Sequence, residues 1–378
     1  VGSEMCIRDR FNIDQFSNEI GRPRQEVSHY LLKAKFTREL NNGKKLNFLL
    51  SHQENFRKEF DRALIDNSPE LDLNLGTTSA DFNYEVNQSE RSNFQFGTNV
   101  QRQAHVWSGS RFFIPNYTAL TLGLYALKKW SRNDLEYEAG LRYDYRNLEV
   151  FRNQNGVNSQ IKRNFNNISS SFAINFIPNN NFNWLNNFSL SWRPPNVNEL
   201  YVNGLHHGTA NFEIGDPNLS SETGLKFTTQ FNYQWNKKTQ IELTLYSNYI
   251  QNFINLVPVL PATLTLRGAF PTFMFKQADA LLTGGDLTFN TSITQSLGYR
   301  LKASILLPRN LNANTWLQQM PPPQIDQEFS WFFVPNKKTS YLSTNFLWVS
   351  QQKFIPNNFI DYLAPPKQYF LTNINFAT

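Results

Sequence analysis

One cysteine, Cys6, occurs in the 378 residues, and methionine and histidine are nearly as scarce. A chain so poor in cysteine is neither a disulfide scaffold nor a thiol enzyme. No run of about eighteen apolar residues occurs, which excludes a spanning helix. Charge is sparse at 17% of residues, and the net +6 comes from Lys and Arg scattered among Asp and Glu. No basic stripe marks a nucleic-acid surface, so nucleic acid is not an expected partner. Glycine-rich phosphate loops, Cys-x-x-Cys pairs and G-x-S-x-G elbows are missing too, and no catalytic trio stands out. The opening ten residues, "VGSEMCIRDR", resemble nothing downstream and read as an adaptor-derived segment foreign to the fold. Residues 11–378 then read as one domain.

What the chain has is alternation. In "TGLKFTTQFNYQW" Leu225, Phe227, Phe231, Tyr233 and Trp235 share one parity, and Lys226, Thr228, Gln230, Asn232 and Gln234 the other. A period of two is a strand with one apolar and one polar face. Residues 135–146 repeat the pattern, with Leu135, Tyr137, Leu141, Tyr143 and Tyr145 set against Glu136, Glu138, Arg142, Asp144 and Arg146. Ile241, Leu243, Leu245 and Tyr249 repeat it again. Such strands run for about ten to sixteen residues, where soluble sheets average five or six. That length suits a tilted bilayer crossing.

Short polar turns fall at 41–44, 87–91, 131–134, 179–181, 237–239, 294–296 and 336–338, with a longer irregular connection between each pair. Short turns on one rim and long loops on the other are the topology of an outer-membrane β-barrel, long loops outward. About fifteen strands are expected. Trp130 and Trp235, at turn edges on the apolar parity, read as interfacial girdle residues. The fold class is all-β, a transmembrane antiparallel barrel.

The alternation stops in "SWRPPNVNELYVNGLHHGTANFEIGDPNLSSE", residues 191–222. Pro194 and Pro195 cannot donate ladder hydrogen bonds, so the sheet should release the chain after Trp192. Gly204, Gly208 and Gly215 should supply positive φ in a surface loop, and Asp216-Pro217 a turn before pairing resumes near Glu222.

Two boxes in this segment carry a family resemblance. Trp192, Arg193, Pro195, Asn198, Glu199 and Leu200 resemble an F-R-x-P…N-E-L pattern, and Asp216, Pro217 and Leu219, with Glu222, an N-P-x-L-K-P-E pattern. Both are barrel signatures of TonB-dependent outer-membrane receptors. Trp for Phe, Asp for Asn and Ser220-Ser221 for Lys-Pro are departures. "RFFIPNY" (111–117), "GLRYDYRNLEV" (140–150), "GAFPTFMFKQADALLTGGDL" (268–287) and "DYLAPPKQYFLTN" (361–373) resemble further barrel segments.

The resemblance implies a barrel of about 22 strands with a plugged lumen. This chain is then a fragment of about fifteen strands, without the plug or the closing strands. No leader is visible at its start. The resemblance further implies a Gram-negative outer-membrane location, contact with lipid, TonB coupling through the missing N-terminal region, and a small-molecule or metal-chelate substrate. An iron–siderophore-type chelate is the expected cargo, with a surface lipoprotein as a possible partner. No resident cofactor and no catalytic activity are expected. A barrel enzyme and a soluble adhesin are the alternatives from other classes.

The loop residues Tyr201, His206, His207 and Glu213 are the candidate substrate-binding positions. An imidazole can ligate iron or haem. It can equally hydrogen-bond the loop's own backbone. Adjacent histidines on an extended backbone point opposite ways, so both cannot face one metal. His29, His52 and His105 sit singly on strands without metal-spaced partners.

Overall fold

The computed structural model describes residues 23–60, 68–89, 91–154, 157–206, 208–265, 268–334, 337–356, 359, 361–362 and 364–378. The N-terminal segment 1–10 and His207 lie outside the described residues. The ladder strands in chain order are β1 (Arg24–Leu40), β2 (Lys44–Phe60), β3 (Leu71–Ser89), β4 (Ser92–Trp107), β5 (Asn116–Arg132), β6 (Leu135–Gln154), β7 (Val157–Asn179) and β8 (Phe182–Arg193). Next come a short helix α1 (Val197–Tyr201) and the small strands β9 (Asn203–His206) and β10 (Asn211–Ile214). The ladder resumes with β11 (Glu222–Asn236), β12 (Thr239–Thr265), β13 (Gly268–Ser292) and β14 (Leu297–Asn310). After the two-residue β15 (Thr315–Trp316), it ends with β16 (Gln324–Val334), β17 (Lys337–Val349) and β18 (Tyr369–Ala377). Leaving aside β9, β10 and β15, fifteen strands form an antiparallel meander, with β8 pairing directly to β11 and β14 to β16.

The short turns all fall on one rim, between β1 and β2, β3 and β4, β5 and β6, β7 and β8, β11 and β12, β13 and β14, and β16 and β17. Asparagine serves these turns because it tolerates left-handed backbone, as at Asn42 (φ 62°) and Asn133 (φ 52°). In the β13–β14 turn the Thr294 hydroxyl accepts from the Ser296 and Leu297 amides. On the opposite rim five connections are long, but β6 and β7, and β12 and β13, are separated by only two residues each, because there the strands themselves extend where the sequence suggested irregular loops.

Several strands exceed the length that alternation suggests: β7 has 23 residues, β13 has 25 and β12 has 27. A tilted crossing uses only about 9–11 residues. The surplus projects past the membrane on the long-loop side, and its alternation changes character there. On β6 the outward parity reads Leu141 and Tyr143, both well exposed, and then Asn147 and Glu149. The inward parity reads Arg142 and Asp144, and then Leu148 and Val150, both fully buried. On β7, whose Ile168, Asn164 and Lys162 face Tyr143, Asn147 and Glu149, the same switch occurs. Outside, Asn147 Nδ2 donates to Asn164 Oδ1 (2.8 Å) and Lys162 pairs with Glu149 (3.0 Å). Inside, Phe165 and Ile161 face the core.

Nearer the turns the faces obey the simple rule. An apolar row crosses the outer face in register: Phe176, Trp184, Phe231, Leu243, Leu287, Ala303, Ile325, Trp348 and Phe370. The Trp184 and Phe231 rings stack at 5.5 Å, and Trp130 stacks on Tyr137 at 5.2 Å. Polar pairs cover the inner face, among them Arg142–Asp144, Arg300–Glu328 and Gln230–Glu242.

The main core sits where the inner face has turned apolar. The segment between β8 and β11 folds inward, and Val197, Leu200, Tyr201 and Leu219 pack on Ala119, Leu148, Val150, Phe165 and Ile254. The segment is therefore a packed wedge, not the outward surface loop that its polarity suggests. Burial of its large side chains, each worth roughly 1.5–3 kcal/mol, is what draws the segment inward.

Candidate functional site

The wedge is held first by an ion-paired latch. Arg193, the last residue of β8, donates from Nη1 to both Glu199 oxygens (2.9 and 2.8 Å) and from Nε to Glu222 Oε2 (2.9 Å). Glu199 also accepts from the Asn196 amide (2.7 Å) at the start of α1, and Glu222 from the Ile254 amide (2.6 Å). One guanidinium thus ties the end of β8, the helix, the start of β11 and the bulged part of β12. Arginine suits this position because its fork reaches two carboxylates at once. Pro195 and Leu200 are buried beside it, and the Asn198 carbonyl accepts from the Val202 amide (2.9 Å).

The second box is gripped from both sides. Asp216 Oδ1 accepts from the Asn218 amide (2.8 Å), closing the expected turn, and the Asp216 amide donates to the Glu199 carbonyl (2.9 Å). Arg163 of β7 donates to the Pro217 and Leu219 carbonyls (2.7 and 2.9 Å). Gln277 of β13 accepts from the Ser220 amide (2.9 Å) and donates to the Ser220 carbonyl (2.8 Å). Reading the segment alone misses both grips. Arg163 had a legible signal, a cation between Ile161 and Phe165 on one parity.

Between the boxes, β9 and β10 form an antiparallel hairpin, and β10 adds in parallel to β13, Glu213 opposite Phe273. The glycines here act differently from the expectation. None of Gly204, Gly208 and Gly215 has positive φ; Ala210 takes that conformation (φ 53°). Gly204 and Gly215 instead permit close approach, since a Cβ would lie 2.7 Å from the Phe112 carbonyl oxygen and 2.6 Å from the Tyr201 nitrogen.

His206 Nδ1 lies 2.8 Å from Glu213 Oε1, and its ring packs on Phe113 at 5.2 Å. The hydrogen bond to Glu213 raises the His206 pKa above its ordinary value, against the opposing effect of burial. A carboxylate on Nδ1 fixes the ring and leaves Nε2 as the nitrogen for a ligand. Glu213 is buried in this role, and Tyr201 is 4% exposed within the core with Arg152 over its ring. The wedge therefore brings His206 and Glu213 together and sets Tyr201 apart from them.

A larger feature was hidden from the sequence because its walls are far apart in the chain. A cavity of about 1060 Å³ opens on the long-loop side, lined by Phe273, Pro322, Ile355, Asp361, Tyr362 and Pro365, with neighbours including Thr209 and Asn211 of the hairpin. Asp361 and Lys367 are its only charged lining residues among those described. Tyr362 donates to the Val259 carbonyl (2.5 Å) and its ring lies 6.0 Å from Phe273. Among the described residues no group of three or more His, Cys, Asp or Glu could hold a metal ion. The Pro-rich runs 320–323 and 364–366 mark these walls in the sequence.

A family model described as TonB dependent receptor-like, beta-barrel matches residues 9–376. The chain belongs to this family. As a TonB-dependent receptor barrel it is a domain of the Gram-negative outer membrane, from a family of receptors and transporters and not of enzymes. Solved structures with the same fold include the copper transporter OprC (TM-score 0.75, 12% identity, 93% of this chain and 57% of that one). The FrpB iron transporter from Neisseria meningitidis, F3-3 variant, has TM-score 0.64 at 14% identity, over 93% and 56%. The alcaligin outer-membrane receptor FauA from Bordetella pertussis has TM-score 0.64 at 11% identity, also over 93% and 56%. At these identities the likeness is one of fold, and the chain spans little more than half the length of each neighbour. No sequence among curated proteins matches it.

Proposed function

We propose that the intact receptor takes up an organic metal chelate, of the iron–siderophore type, by TonB-coupled passage through this barrel. The cavity carries the reading. Its aromatic and proline walls suit the organic shell of a chelate, and among the described residues its lining has no cluster of donors that would strip and hold a bare ion. The neighbours whose titles name iron and copper support a metal cargo, and the one whose title names alcaligin supports an organic ligand, without choosing among them. Capture by a surface lipoprotein before transfer is compatible with a cavity that opens outward. The test is binding of ferric hydroxamate and ferric catecholate complexes to the purified receptor. Tyr362→Ala and Phe273→Ala should each weaken the preferred complex tenfold or more. Equal binding of uncomplexed Fe³⁺ or Cu²⁺, indifferent to both changes, would overturn the reading.

A haem cargo is the second reading, and the oriented His206–Glu213 pair favours it. His206→Ala together with His207→Ala should then weaken haem binding at least tenfold while assembly is unchanged. Haem-dependent growth that tolerates the double change removes this reading.

A further inference from the structure

Charge on the outer face of the wall is sorted along the strands. Toward the long loops, cations and carboxylates share the outward parity and pair with each other, Lys162 with Glu149 (3.0 Å) and Lys58 with Asp72 (4.0 Å). At the short-turn ends of β2 to β6 the two signs separate. Lys44, Lys128 and Arg132 take the outward parity there, and all three are exposed. The strand carboxylates take the inward parity, where Glu85 accepts from Asn93 (2.7 Å), Glu136 accepts from Asn175 (3.1 Å) and Glu138 pairs with Lys129 (2.7 Å). Among the described residues no carboxylate, Asp134 of the intervening turn included, forms a salt bridge with the three outward cations.

These cations adjoin a pair of rings. Trp130 lies between Lys128 and Arg132 on the outward parity of β5, and its ring stacks on Tyr137 of β6 at 5.2 Å and 11°. Register sets Lys44 in one row with Lys128, across Val86 and Phe94, about 14 Å away over three strand spacings. Other indole donors on this wall are satisfied within the protein, Trp184 Nε1 by Thr229 (2.9 Å) and Trp107 Nε1 by the Arg111 carbonyl (2.8 Å). Trp130 Nε1 and the Tyr137 hydroxyl have no partner among the described residues. The β11–β12 turn repeats the arrangement, with the exposed Trp235 edge-on to Tyr233 at 6.1 Å just before Lys237 and Lys238.

A lysine on a lipid-facing wall keeps its ammonium wet by laying its stem along the wall toward the nearest boundary. For Lys128 that boundary is the short-turn rim, where Arg132, the indole N–H and the phenol already stand. The anions a bilayer offers at this depth are the phosphodiesters of its headgroups. We infer that Lys128, Arg132, Trp130 and Tyr137 bind the phosphodiester of an anionic phospholipid in the periplasmic leaflet, with Lys44 adding to the field beside them. Two cations without a protein carboxylate favour a headgroup of net negative charge over a zwitterionic one, whose own cation they repel. The guanidinium and the two neutral donors supply the hydrogen bonds that hold the phosphate oxygens.

The probe is phosphatidylglycerol, titrated into the purified, delipidated intact receptor in detergent, with phosphatidylcholine as the net-neutral control and bound lipid counted by native mass spectrometry. Phosphatidylglycerol should bind about fivefold more tightly, the worth of roughly one cation near a bilayer surface. Lys128→Gln together with Arg132→Gln should abolish the preference, each single change should lower it about twofold, and Lys128→Arg with Arg132→Lys should keep it. Arg102→Gln, which removes an exposed outward cation nearer the long loops, should leave it unchanged. Heat-resistant mobility on gels confirms assembly of each variant, and the single changes carry the test if the double change does not assemble. A wild-type receptor without the preference, or a preference that survives the glutamine changes, overturns the inference. So does an equal loss in Arg102→Gln, since the effect would then be one of net charge and not of place.

Discussion

The strands β6 and β7 pass through two environments, and the same backbone carries opposite patterns in them. Near the short turns Leu141, Tyr143 and Ile168 face outward, with Arg142 and Asp144 inside. Toward the long loops Asn147, Glu149, Asn164 and Lys162 face outward, with Leu148, Val150 and Phe165 inside. Strand parity is unbroken across the switch. What changes is the surroundings on each side: lipid gives way to water outside, and a polar lumen face gives way to the packed wedge inside. Periodicity identifies a strand, and only the sign of the pattern tells which medium it meets.

The comparison breaks most severely if the wedge is released. Arg193→Ala leaves Glu199 and Glu222 buried without their cation, and should cost about 3 kcal/mol of wedge stability. Protease cleavage within 196–221 on intact cells should accelerate strongly, while the turn-side half keeps its heat-resistant mobility on gels. An unchanged cleavage rate would show that the latch does not hold the wedge.

Next in size is the outer face itself. Phe172→Arg, in the lipid-facing half of β7, should cost about 2–4 kcal/mol, and Asn164→Arg on the same parity only a few tenths. Phe231→Arg and Asn232→Arg repeat the contrast across the two faces of β11. Equal costs in urea-induced unfolding from lipid would mean that lipid reaches both halves alike.

Close approach in the wedge gives a smaller effect. Gly204→Ala meets the Phe112 carbonyl and should cost about 1–3 kcal/mol, whereas Gly208→Ala has 3.8 Å of clearance to the His206 ring and should be near neutral. Thermal melting of the two variants checks this. An impermeant thiol reagent on intact cells should likewise label a cysteine at the exposed Gly208 and spare one at the buried Leu219.

The smallest effect is a pH dependence. Because the folded pKa of His206 lies above the unfolded value, the pair's stabilisation is complete below about pH 6.5 and fades as pH rises through the folded pKa. An NMR titration should give His206 a midpoint above 6.5 that falls in Glu213→Gln. A midpoint that does not respond to Glu213→Gln would dissolve the pair.

The turn-side half was legible because one rule governs it. Alternation and turn residues implied about fifteen strands, the hairpin turns of one rim and the release of the chain between Arg193 and Glu222. The loop-side half was not. Where Leu148 follows Asn147 and Phe165 follows Asn164, the pattern continues with its sign reversed, and strand ends such as those of β12 and β13 were read short. The two signature boxes marked the wedge, but not that it turns inward, because its partners Arg163 and Gln277 lie on distant strands. The outer cavity was invisible for the same reason: its walls come from four separate stretches of chain.

The sign reversal can be measured directly by placing nitroxide labels along the outward parity of β6 and β7 in lipid and comparing collisions with oxygen and with a water-soluble nickel chelate. Labels at Tyr143 and Ile168 should favour oxygen, labels at Asn147 and Asn164 should favour nickel, and a label at Leu148 should be reached poorly by either. Oxygen preference that continues through Asn147 and Asn164 would place those positions in lipid and contradict the account.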